Sequence, residues 1–98
     1  MTISKAAEAD KLAIHLEGRL DAATAPQLEK ELNESINGIK KLEFDLEKLE
    51  YISSAGLRVL LSAQKTMNKQ GSMTVMNVNE TIMEIFEVTG FNDILTIQ

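Results

Sequence analysis

Between Leu42 and Met67 the hydrophobic repeat changes its period, and this change constrains the fold more than any other feature of the chain. Leu42, Phe44 and Leu46 alternate with Glu43 and Asp45, the pattern of a strand covered on one face. Beyond Ser53-Ser54, the residues Gly56, Val59, Leu60, Ala63 and Met67 return at helical spacing. Arg58, Ser62, Lys65 and Lys69 fall on the opposite side. A strand and loop therefore turn into an amphipathic helix at a pair of serines.

The same two periods organise the rest of the chain. Leu12, Ile14 and Leu16 alternate with Ala13, His15 and Glu17, and Thr2 to Ala7 reads as a strand before them. The short Glu8-Ala9-Asp10 segment makes this pair an antiparallel hairpin. Thr24-Ala25-Pro26-Gln27 reads as a capping box with proline in the first turn. The stripe Leu28, Leu32, Ile36 follows, and Gly38 closes that helix. A further strand is expected around Ser72 to Val78. Asn79 caps a third helix facing inward through Ile82, Ile85, Phe86 and Thr89, with Gly90 as its stop. A short closing strand at Ile94 to Ile97 completes the list. The expected fold is a single α/β domain over residues 1–98, with a mixed sheet of four to five strands. The polar second face of the clearest strands places the helices mainly on one side, and strands joined through helices should be parallel.

Composition excludes several function classes. The net charge is -5 and the basic residues are scattered, so no basic face is available for nucleic acid. The chain has no cysteine, which fits a reducing cytoplasm. No apolar run approaches a membrane span, so no membrane insertion is expected. Nothing demands a second chain, and a monomer is expected when the protein is free.

Enzyme chemistry finds little support. His15 is the only histidine, and strand alternation puts it opposite the inward leucines, where it is solvated or paired to Glu17. No phosphate-binding loop or dinucleotide fingerprint is present, and no cofactor or metal site is expected. Gly56 is better explained by close packing of the helix start than by phosphate cradling. What remains is the serine pair. A hydroxyl there can cap the helix or be shown to a partner, and a phosphate on it would sit at the positive end of the helix dipole.

Tyr51-Ile52-Ser53-Ser54-Ala55-Gly56-Leu57-Arg58-Val59-Leu60-Leu61 resembles the signature of the STAS domain, the family of bacterial anti-sigma factor antagonists. Gly18-Arg19-Leu20-Asp21, Leu42-Glu43-Phe44-Asp45-Leu46 and Val88-Thr89-Gly90-Phe91 fall in matching order around it. The resemblance implies a binding module that is not an enzyme. It would sequester an anti-sigma factor serine kinase and so free a sigma factor, with a serine phosphatase to reverse the mark. The phosphorylated position of the family falls on Ser54, with Ser53 as the alternate acceptor. Ser53 stands where antagonists often carry aspartate. The partner-binding residues implied are Asp21, Asp45, Ser53, Ser54, Ala55, Gly56, Leu57 and Arg58. Asp21 and Asp45 each admit a second role in turn chemistry. Ser54 is also expected to cap its helix, so that Ser54→Ala would cost stability. The alternative implied function is a STAS subunit that scaffolds a lipid-transport ATPase complex without phosphorylation.

Overall fold

The computed structural model describes residues 1–98. Strand β1 (Thr2–Glu8) and β2 (Lys11–Leu20) form the antiparallel hairpin, turning through Ala9 at φ 54°. Helix α1 (Ala25–Ser35) leads to β3 (Lys41–Ile52), α2 (Ser54–Gln70) to β4 (Ser72–Met76), and α3 (Glu80–Thr89) follows. The sheet order is β1-β2-β3-β4, with β2, β3 and β4 mutually parallel. The expected closing strand is reduced to one bridge, between Val75 and Ile97. The sheet therefore has four strands.

One face of the sheet carries the core. Leu12, Ile14 and Leu16 of β2 and Leu42, Phe44 and Leu46 of β3 are buried. Helix α2 packs on β3 and β4, α3 packs on β3, and α1 lies against α2. Their inward residues are Leu28 and Leu32, then Val59, Leu60, Ala63 and Met67, then Ile82 and Phe86. The opposite face stays open, with Lys11 and Glu43 paired across it at 3.1 Å. On the edge strand β1, Lys5 pairs with Glu31 and donates to the Ser35 hydroxyl, both on α1. A lysine on an edge strand discourages pairing with another chain.

Strand β3 runs six residues beyond the alternation visible in the sequence. Two residues, Leu46 and Glu47, lie opposite Leu16 alone, and Glu50 is a second insertion between the Gly18–Leu49 and Arg19–Tyr51 pairs. Each bulge resets which side chain points inward. The buried residues Leu46, Leu49 and Ile52 consequently follow one another at intervals of three. This register delivers Tyr51 beside Arg19 on the open face, Ile52 to the core and Ser53 to the strand end.

Two glycines permit close approach of elements. A Cβ on Gly56 would lie 2.7 Å from Leu20 Cγ and 2.9 Å from Ile52 Cγ1, so the start of α2 sits directly on the ends of β2 and β3. A Cβ on Gly71 would lie 1.9 Å from the Lys40 carbonyl oxygen. There the chain leaves α2, and Ser72 N–H donates to that carbonyl at 2.9 Å.

The capping box expected at Thr24 does not form. Thr24 already has helical dihedrals and its hydroxyl caps nothing in α1; it donates instead to the Arg19 carbonyl at 2.8 Å. Asn79 caps α3 as expected, accepting from Ile82 N–H at 3.0 Å, and Gly90 closes that helix at φ 79°.

Candidate functional site

Strand β2 ends at Leu20, whose carbonyl accepts from Ser53 N–H at 2.9 Å. This one bond brings the turn after β2 against the start of α2. In that turn, Asp21 Oδ1 accepts from the amides of Ala23 at 3.0 Å and Thr24 at 3.2 Å. Asp21 N–H in turn donates to the Thr24 hydroxyl at 2.9 Å. Asp21 therefore builds the entry to α1 by turn chemistry, while its side chain stays partly exposed beside the serines.

Partial desolvation alone would raise the Asp21 pKa. The Thr24 and Ala23 amides, the Thr24 hydroxyl and the Arg19 guanidinium together outweigh it and hold the carboxyl below its ordinary value of 3.8. A depressed carboxylate contributes stability that is present above the unfolded pKa and lost as pH falls through the folded one. Asp21→Asn keeps an acceptor for the amides but not the charge. The variant should be less stable than wild type at neutral pH, with the gap closing as pH falls below 3.8. Denaturant midpoints across that range check this; a gap independent of pH would remove the carboxylate from the account.

The two serines divide their tasks. Ser53 is the N-cap of α2, with φ -95° and ψ 175°, and its Oγ faces Gly56 N–H at 3.5 Å, a long and weak cap. Ser54 is the first residue of the helix. Its side chain is exposed and makes no hydrogen bond. The expectation that Ser54 caps the helix is thus corrected: the cap belongs to its neighbour, because only the residue before the first helical turn has extended dihedrals that aim its oxygen back at the amides.

The remaining expected site residues separate by burial. Arg58 is exposed and Ala55 half-buried, whereas Gly56 and Leu57 are buried. Leu57 is 5% exposed, so it holds the helix in place and presents no surface to a partner. Asp45 lies in mid-strand on the open face rather than at a strand end. Seven residues of β3, Leu46 to Ile52, separate it from Ser53, so the two are not brought together. It accepts from Glu47 N–H at 3.0 Å and Asn77 Nδ2 at 3.1 Å. His15 is exposed, as one of its two expected readings had it. Its Nδ1 lies 3.3 Å from Asp45 Oδ2, the oxygen that also accepts from Asn77, and the other reading, a pairing with Glu17, is not realised. Parallel pairing sets His15 directly opposite Asp45, while Glu17 is two residues along the same strand.

Two residues at the serine end were not singled out from the sequence. The Arg19 guanidinium lies 4.5 Å from the centre of the Tyr51 ring, and Arg19 Nε is 3.8 Å from Asp21 Oδ2. Stacking of this kind holds both side chains in one place. Next to it, Ala22, Ala25, Pro26 and Glu29 face Ala55, Arg58 and Val59 across a groove of about 230 Å³ between α1 and α2. The site is an exposed surface of turn, capped helix start and shallow groove.

The description STAS domain matches residues 3–98. The chain belongs to the STAS family, among the anti-sigma factor antagonists. This STAS domain is 38% identical over 84 residues to BtrV of Bordetella bronchiseptica, a candidate anti-sigma factor antagonist, covering 84% of this chain and 72% of that protein. It is 31% identical to the anti-sigma-B factor antagonist of Listeria monocytogenes, covering 96% of this chain and 84% of the relative. Among solved structures it resembles an anti-sigma factor antagonist from Mycobacterium paratuberculosis, with a TM-score of 0.88 at 21% identity, covering 98% and 83% of the two chains. Proteins of this family are binding modules rather than enzymes. No helix of this STAS domain is long and apolar enough to cross a membrane.

Proposed function

We propose that this chain is a phosphorylation-gated antagonist whose switch is Ser54. In the unphosphorylated state it binds, in the cytoplasm and as a monomer, an anti-sigma factor that is also a serine kinase, and so frees a sigma factor. The observation that carries this reading is the division of labour between the serines. Ser53 caps α2, while the Ser54 hydroxyl is exposed and unbonded, so modifying it removes no contact that holds the fold.

In the transfer step the Ser54 oxygen attacks the γ-phosphorus of ATP bound to the kinase. An O–P bond forms to serine, the bond from that phosphorus to the β–γ bridging oxygen breaks, and ADP leaves. The hydroxyl proton passes to a base of the kinase. A serine phosphatase reverses the mark by adding water across the O–P bond, which restores the hydroxyl and releases inorganic phosphate. Phosphoserine adds about 1.5 to 2 negative charges to a chain already at -5. The interface then weakens through repulsion and through the cost of desolvating a dianion, not through unfolding.

Intact mass after incubation with the cognate kinase and ATP tests the reading. One added phosphate is expected on the wild type and on Ser53→Ala, and none on Ser54→Ala. Phosphate on neither serine would overturn the gate and favour the scaffolding role.

A further inference from the structure

We propose that Arg58 is the internal partner of a phosphate on Ser54, folding it back along α2 as an ion pair within the helix. The inference rests on Ser54 being the acceptor.

Ser54 is the first residue of α2, and Arg58 follows it by four residues, one helical turn later on the same face. A helical side chain leans toward the N-terminus and covers the turn before its own Cα. The Arg58 guanidinium is therefore directed over the position where the Ser54 phosphate would stand. Arg58 is exposed and makes no ion pair or hydrogen bond, so it is free to take one.

The other charged groups around this end leave the task to Arg58. Arg19 is occupied, stacked on Tyr51 and close to Asp21. Asp21 is negative and repels a phosphate, as does Glu29, which lines the groove that Arg58 also lines. The next cation along α2, Lys65, is nearly two turns beyond Arg58. Guanidinium and phosphate match as a planar donor pair against two oxygens, the strongest class of charged hydrogen bond. Pairing would convert a freely moving dianion into one fixed at the mouth of the groove between α1 and α2.

The test installs phosphoserine at position 54 during synthesis, without any kinase, in the wild type, Arg58→Gln and Arg58→Lys. Phosphorus NMR then follows the second ionisation of the phosphate, which lies near about 6 for free phosphoserine. A cation one turn away favours the dianion, so the wild type should titrate about 0.3 to 1 unit below Arg58→Gln. Arg58→Lys should fall between them, since lysine supplies the charge without the fork. Coincident titrations of wild type and Arg58→Gln would overturn the proposal. Thermal melts of the unphosphorylated proteins verify that all three are folded. Kinase transfer is scored separately on unmodified protein. A failure there counts against Ser54 as the natural acceptor, whereas a failure of the titration counts against Arg58 alone.

Discussion

Leu60→Ala is expected to lower stability by about 2 to 5 kcal/mol, the range for truncating a fully buried leucine. Leu60 is 0% exposed and projects from α2 into the layer between that helix and the sheet. Part of the loss is transfer of the removed atoms to water, and part is the cavity left where neighbours cannot collapse. A small domain has roughly 5 to 15 kcal/mol in total, so the variant stands near the edge of folding. The urea midpoint should fall by about 1 M or more. A midpoint equal to wild type would mean that α2 is rotated from the orientation described here. Because Leu60 lies beneath the surface proposed for the partner and is not part of it, the fraction that stays folded should still bind.

Ser54→Asp is expected to do the reverse, leaving stability intact and removing affinity. Ser53 still caps the helix, and a carboxylate in the first turn gains about 0.3 to 1 kcal/mol from the helix dipole. Melting should therefore stay level or rise slightly. At the interface the new charge must be desolvated beside Asp21, and the affinity for the partner kinase should fall by about 10- to 100-fold. Ser54→Ala should bind as wild type and melt as wild type, since no cap is lost. Ser53→Ala should lose stability near the low end of the roughly 0.5 to 2 kcal/mol range for caps, because its hydrogen bond is long. Titration of each variant against the kinase, beside thermal melts, separates the two serines. Unchanged affinity in Ser54→Asp would sink the switch.

The contrast between these variants shows where local pattern is a sufficient guide. Most of the inward faces of α1, α2 and α3 follow from spacing alone, and Leu28, Val59, Leu60, Ile82 and Phe86 lie where that spacing puts them. Thr89, expected on the inward face of α3, is instead exposed, and its hydroxyl donates to the Ile85 carbonyl at 2.7 Å in the last turn. The alternation in β2 and in the first half of β3 likewise identifies the covered face. Burial makes these positions legible, because an apolar side chain has one favourable direction whatever its neighbours are. The second half of β3 was hidden for the opposite reason. Its two bulges break the period of two, so a strand continuing to Ile52 looks like a loop until its pairing with β2 is seen.

The serine pair at a helix start, and its likeness to the STAS signature, were determined by the sequence itself. Tertiary structure decided which serine caps, which residues of the signature reach the surface, and which acidic residue accompanies them. Thr24 lost its expected cap because the Arg19 carbonyl takes its hydroxyl, while Asp21 took the turn role open to it by capturing the Ala23 and Thr24 amides. Asp45 was carried away from the serines by the length of β3, and His15 was joined to it by the parallel register of β2. Apolar periodicity is a property of one segment and can be read along the chain. Hydrogen-bond partners of polar groups are chosen among segments, and that choice exists only once the strands are side by side.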